Sequence, residues 1–204
     1  MNEACSWVGD SEIYRTYHDT EWGVPEYDSR ALWEKLILDG FQAGLSWITI
    51  LKKRENFRAA FKGFDPNVIA KWGEDDVLRL LADSGIVRHR GKIEATIGNA
   101  RAWQVIEARE GFDQFLWRYV GGAPLQNQFK TQAEVPTETA LSRQVSKDLK
   151  AAGFRFCGPT IVYAFMEAVG MVNDHLIGCP CHEKIADFHR QTVEWRTSAR
   201  YFVP

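Results

Sequence analysis

The sequence predicts an all-α fold. Helical spacing of apolar residues runs through most of the chain, cap residues mark several helix ends, and no stretch reads as a convincing strand. Residues 28–40, "DSRALWEKLILDG", start on Asp28 or Ser29 as a cap and place Leu32, Trp33, Leu36 and Ile37 on one face. Residues 45–61 turn Ile48, Leu51, Phe57 and Phe61 inward and the Lys-Lys-Arg-Glu run outward. Residues 74–85 carry acids in their first turn, with Gly85 expected as a left-handed cap just past the end. Residues 92–108 repeat apolar positions at 93, 97, 100, 103, 105 and 106. Residues 137–153 carry Leu141, Val145 and Leu149, preceded by Pro136 and closed by Gly153. Residues 159–170, "PTIVYAFMEAVG", are apolar nearly all round, which predicts a central buried helix. The least patterned stretch, 120–136, is expected to be a loop between helices.

Length and composition limit the function classes. A chain of 204 residues makes one large domain or two small ones and can bury a sizeable core. The net charge of −2 gives no global basic field, so a nucleic-acid partner would have to be held by local patches. The start, "MNEACSWVGD", lacks the basic and apolar regions of a signal peptide. The apolar run "IVYAFMEAVGMV" is too short to span a bilayer and contains Glu167. These features predict a soluble cytoplasmic protein with no membrane association. Its four cysteines then point to metal ligands or core thiols rather than disulfides. Aromatic residues are unevenly placed: of eight Trp, Trp7, Trp22, Trp33 and Trp47 fall in the first quarter.

Metal-type side chains sit at both ends. Cys5 and His18 lie near the start, and His175, Cys179, Cys181, His182 and His189 near the end. "DHLIGC" separates His175 and Cys179 by four residues, one helical turn if the segment is helical, so both could reach one point. Two ligands from each end would make a closed tetrahedral site that ties the termini together. Spacing leaves other readings open: buried thiols with surface histidines, a Cys5–His18 nucleophile pair, or ligation by Cys181 and His182 instead of Cys179.

Residues 80–95, "LLADSGIVRHRGKIEA", read as helix, glycine turn and helix, with Arg88, His89, Arg90 and Lys92 clustered at the turn. Backbone N–H groups at such a turn, with basic side chains beside them, can hold a phosphate. The stretch resembles the helix-hairpin-helix of DNA repair proteins. It reads Gly85-Ile86-Val87 where that motif has a second glycine. A plain helix connection with solvated basic residues is the competing reading.

Several stretches together carry a more specific resemblance. "WVGDSEIYRTYHDTEWGVP", "GFQAGLSWITILKKRENFR", "SGIVRHRGKIEATIGNARA", "GFRFCGPTIVYAFMEAVG" and "VNDHLIGC" closely resemble the DNA-3-methyladenine glycosylase type I family, over residues 4–181. The resemblance implies a helix-hairpin-helix DNA glycosylase fold, with residues 1–182 as one domain and 183–204 as an extension of unknown role. It implies a structural zinc held by Cys5, His18, His175 and Cys179. It also implies a monomer acting on double-stranded alkylated DNA, which hydrolyses the N-glycosidic bond of a flipped 3-methyladenine and leaves the free base and an abasic site. A non-catalytic reader of alkylated DNA on the same fold is the alternative.

On this resemblance, Trp7, Tyr14, Tyr17, Trp22 and Trp47 line the base pocket, where stacking and cation–π attraction hold a base made cationic by methylation. Asp39 stands where the family has Glu, and is expected to read the base edge as the catalytic-site acid. Its oxygens sit about 1.5 Å further back, one carbon–carbon bond. Gly40 and Gly44 would let the chain approach DNA, and Leu45 would be the wedge that fills the gap left by the flipped nucleotide. Gly85, Arg88, Arg90 and Lys92 would contact phosphates, joined by Lys52 and Lys53.

Overall fold

The computed structural model describes residues 5–187. Those residues are mostly helical: α1 Glu12–Thr20, α2 Ser29–Gln42, α3 Trp47–Ala60, α4 Pro66–Ile69, α5 Glu74–Ala82, α6 Arg90–Glu110, α7 Phe112–Trp117, α8 Ala140–Ala151 and α9 Pro159–Ala168. Residues 180–187 are helical as well, and residues 6–8 form a short 3₁₀ turn. Among the described residues no helix is long and apolar enough to cross a membrane. His189 and most of the 183–204 extension lie outside the described residues.

Side-chain caps fix several helix starts. The Asp28 carboxylate accepts from the N–H groups of Arg30 and Ala31 at the start of α2. The Asp65 carboxylate caps α4, where Pro66 occupies the first turn without needing an N–H partner. Thr139 and Ser142 cap α8 reciprocally.

Two expectations change. The loop 120–136 contains a strand, β1 Leu125–Gln126, which pairs in parallel with β2 Val172–Asn173 in the register Leu125↔Val172 and Gln126↔Asn173. Strands of two residues are too short to show a sequence period, which is why they were not legible. Gly85 is not a left-handed cap either: α5 ends at Asp83 in an extended conformation, and Gly85 has no positive φ. The chain leaves this helix by straightening.

The described chain forms two compact units. The first comprises residues 5–26, 117–137 and 166–187. Here the buried Asn173 side chain donates to Gln126 Oε1 at 2.8 Å and to the His182 carbonyl at 3.0 Å, fixing the segment that leads into His175. Gly170, at φ +69, packs so closely that a Cβ would stand 2.6 Å from the Gly23 carbonyl oxygen. Glycine is therefore required for this segment to reach the 21–26 segment.

The second unit comprises residues 27–116 and 138–165. Its core holds the predicted face of α2, with Leu32 and Trp33 fully buried, and a run of phenylalanine rings. Phe41 lies 4.8 Å from Phe57, and Phe61 stacks parallel on Phe64 at 5.4 Å. In α6, Ile93, Ile97, Ala100, Trp103 and Ile106 face inward as expected, whereas Val105 is exposed. Val145 and Leu149 of α8 and Val162 of α9 are fully buried.

Candidate functional site

In the first unit, Cys5, His18, His175 and Cys179 converge, each with a ligand atom within 4.8 Å of the others. All four are buried. His175 Nδ1 lies 3.2 Å from His18 Nε2, 3.8 Å from Cys5 Sγ and 3.8 Å from Cys179 Sγ; Cys179 Sγ lies 3.5 Å from His18 Nε2. A zinc tetrahedron with ordinary Zn–S and Zn–N bonds has edges of about 3.3 to 3.8 Å. The donor set and its spacing therefore fit a four-coordinate metal ion. The segment 174–179 is not a helix: β2 ends at Asn173, and a turn closed by Cys179 N–H on the Leu176 carbonyl at 2.7 Å brings the two side chains together.

The remaining ring nitrogens are held from outside the cluster. His18 Nδ1 lies 2.7 Å from the Asp19 carboxylate, and His175 Nε2 lies 3.1 Å from the Trp22 carbonyl. Such partners fix each ring's tautomer and orient its ligating nitrogen. The hydrogen bond between the two thiols pushes Cys5 above the usual thiol range and holds Cys179 below it. Burial draws His18 down, but hydrogen bonds to Cys179 and Asp19 outweigh it and raise the pKa overall. Cys181, which spacing left as a rival to Cys179, is outside this set, and burial pushes its pKa up to about 11. His182, the other rival, has its Nε2 2.8 Å from the Asn127 carbonyl.

Four of the expected pocket aromatics crowd against this cluster. The half-buried Trp7 meets Tyr14 edge-on at 5.5 Å, Tyr17 at 6.5 Å and Trp22 at 5.2 Å. Trp22 meets His175 edge-on at 4.6 Å and stacks on His18 at 6.0 Å. The histidine rings thus serve both the cluster and the aromatic set. Tyr17 is the most buried of the four, at 4 % exposure.

The second unit holds Asp39, and it is not a solvated helix-end residue. It lies inside α2 at 1 % exposure. One carboxylate oxygen, Oδ1, accepts from Lys35 Nζ at 2.5 Å, and the other, Oδ2, is buried with no hydrogen-bond partner among the described residues. Burial pushes its pKa up, and the Lys35 ammonium offsets this only in part. Lys35 Nζ also lies 4.0 Å above the centre of the Trp47 ring. Sequence reasoning missed Lys35, although its spacing of four residues from Asp39 was a readable signal.

Around this acid the chain departs from several expectations. Gly40 is buried, and a Cβ there would stand 3.2 Å from the Phe156 carbonyl oxygen. It serves close packing inside the protein, not an approach to DNA. Gly44, at φ +81, has open space around it, and Leu45 beside it is 42 % exposed.

The hairpin α5–turn–α6 also lies in this unit. The Gly85 N–H donates to the Asp83 carboxylate at 2.7 Å, so that amide already has an anionic partner. Lys53 donates to the Ser84 and Gly85 carbonyls at 3.0 and 3.2 Å and braces the turn. Arg90 is bound by Glu74 at 2.8 Å and Glu94 at 3.2 Å. Lys92 points inward at 7 % exposure, donating to the Phe41 carbonyl at 2.8 Å and the Ala43 carbonyl at 2.6 Å. It satisfies carbonyls at the end of α2, which corrects its assignment as a phosphate contact. Arg88 is exposed and has no ion pair among the described residues.

Comparison with known proteins gives a consistent result. A family model described as methyladenine glycosylase matches residues 7–182. The chain is 54% identical over 181 residues to DNA-3-methyladenine glycosylase 1 of Escherichia coli, covering 88% of this chain and 97% of the relative. It is 50% identical over 182 residues to DNA-3-methyladenine glycosylase of Haemophilus influenzae, covering 89% and 98%. A crystal structure of 3-methyladenine DNA glycosylase I matches with a TM-score of 0.87 at 54% identity, covering 88% of this chain and all of that one, 100%. A variant of 3-methyladenine DNA glycosylase I in complex with 3-methyladenine matches with a TM-score of 0.85 at 42% identity, covering 88% and 97%.

Proposed function

The chain belongs to the methyladenine glycosylase family and is an enzyme of that class, and on this premise we propose that it flips 3-methyladenine out of alkylated double-stranded DNA and hydrolyses its N-glycosidic bond. The observation that supports this most directly is Asp39, a buried carboxylate with one oxygen that has no donor among the described residues. Leaving a buried acceptor without a partner costs about 1–3 kcal/mol. Such an oxygen suits a site whose donor arrives with a ligand, here the exocyclic amine of the base.

Methylation at N3 gives the base a positive charge, and that charge weakens the glycosidic bond. The departing base leaves as a neutral molecule, so no strong general acid is needed. The protein's work is then selection and water placement. Asp39 accepts from the base edge. Trp47, in the same unit as Asp39, supplies an electron-rich face for the cation. Leu45 enters the stack in place of the flipped nucleotide. The α5–α6 hairpin acts as a helix-hairpin-helix, with the Gly85 turn near the phosphate backbone and Arg88 its direct contact; Arg90 shapes the turn through its ion pairs. Residues 1–182 act as one catalytic domain of a monomer.

Cys5, His18, His175 and Cys179 hold zinc. Such an ion supplies a rigid cross-link between segments far apart in sequence and leaves no open position for chemistry. The donor set, with its buried thiols and oriented imidazoles, supports this assignment.

The test is base release from duplex DNA methylated by a simple alkylating agent, with the released bases identified chromatographically. The unaltered chain should release 3-methyladenine, and Asp39→Asn should release it about ten- to hundred-fold more slowly. Tight binding of methylated DNA without release would make the chain a reader instead.

A further inference from the structure

A buried acid and an aromatic face together make a site for a cation. In the second unit such a site is formed by Asp39 and Trp47, and it already contains a cation. Lys35 Nζ stands 2.5 Å from Asp39 Oδ1 and 4.0 Å from the centre of the Trp47 ring. Its side chain is 17% exposed and that of Asp39 is 2% exposed. The ammonium satisfies both elements, carboxylate and ring, that would hold a methylated purine. As long as Lys35 remains there, the formal charge of the pair is zero, and an incoming cation gains little from the acid.

We propose that Lys35 is a specificity-determining residue: it occupies the cation site of Asp39 and Trp47 and competes with the positively charged base for it. This rests on the reading of Asp39 and Trp47 as base-recognition residues. The geometry provides a route for exchange. Lys35 lies one helical turn before Asp39 on α2, and its four-carbon stem ends in a partly exposed ammonium that can swing toward water. Asp39 Oδ2 has no partner among the described residues but is buried, so either base reaches it only when the side chains around it move, whereas the positive charge of Lys35 opposes the cationic base alone. A cationic base gains its full electrostatic attraction only by displacing the lysine. Lys35 therefore narrows the gap in affinity between charged and neutral purines.

The test uses two small probes that carry no cleavable sugar. The cation is 3,9-dimethyladeninium and the neutral control is 9-methyladenine. Binding is followed by calorimetry at mildly alkaline pH, which favours ionised Asp39 despite its burial. Lys35→Met should bind the cation about ten-fold more tightly than the unaltered chain, equivalent to about 1.4 kcal/mol, with the control changed less than about two-fold. Lys35→Arg retains a positive charge at the site and should bind both probes as the unaltered chain does. Unchanged cation affinity in Lys35→Met, or equal weakening of both probes, overturns the proposal. Base release from methylated duplex DNA is measured in parallel. Release without the cation shift removes the role of Lys35 alone. A cation shift without release retains that role and removes the glycosylase reading.

Discussion

The Cys–His cluster and the Asp39 site are both buried and polar, yet they satisfy their atoms in opposite ways. In the cluster, both ring nitrogens of His18 and of His175 have partners, and the sulfurs of Cys5 and Cys179 lie on the same histidines. Asp39 is left half-satisfied, with one oxygen on Lys35 and the other on nothing among the described residues. A closed set of four donors fits a metal ion and leaves no position for a further ligand. An open acceptor costs stability and leaves a place for one. The difference teaches that burial alone does not fix how a polar group is satisfied: one site closes on its own donors and the other does not.

The largest effect should come from breaking the closed set. Cys179→Ser or His175→Ala should remove about one bound metal ion per chain and lower unfolding free energy by about 3 kcal/mol or more, because buried polar partners are left unpaired. Metal analysis and denaturant unfolding of the purified variants measure both. Full metal content in either variant would break the comparison.

Breaking the open site should instead lower activity with little loss of stability. Asp39→Asn should slow base release about ten- to hundred-fold while unfolding free energy changes by less than about 1 kcal/mol. A collapse in stability with activity per folded molecule preserved would reverse the roles assigned to the two regions.

The pH dependence sharpens the contrast. Burial raises the Asp39 pKa above its ordinary 3.8. Its contribution to stability is therefore fully present below that value and lost as pH rises through the higher folded-state value, by at most about 1.4 kcal/mol per pH unit in that window. Base release should follow the opposite course, rising as Asp39 ionises. Asp39→Asn should abolish this component of both profiles, and unfolding and release measured across the acid range will show whether it does.

Two smaller effects separate packing from contact. Gly40→Ala places a Cβ 3.2 Å from the Phe156 carbonyl oxygen and should cost about 1–2 kcal/mol by crowding, read from a shift in the denaturation midpoint. Arg88→Ala should leave stability unchanged and reduce the salt dependence of DNA affinity by about one phosphate contact. An unchanged salt slope would remove Arg88 from the interface.

The sequence by itself determined α2, α3, α5, α6, α8 and α9, most of their inward faces and the residue types able to bind metal, but not α1, α4 or α7. These are local properties: a helical period, a cap or a thiol is read from neighbours within a few positions. It also carried the family, because the stretches that resemble it are contiguous. The tertiary structure decided which of Cys179, Cys181 and His182 joins Cys5 and His18, because three candidates within four residues differ only in how a turn aims them. It turned Lys92 inward to the end of α2, a contact across about fifty residues that no local pattern encodes. It placed Lys35 on both Asp39 and Trp47, giving a lysine with an ordinary surface spacing an enclosed partner. Charge and periodicity along the chain show what a residue can do; burial and the direction of a side chain decide what it meets.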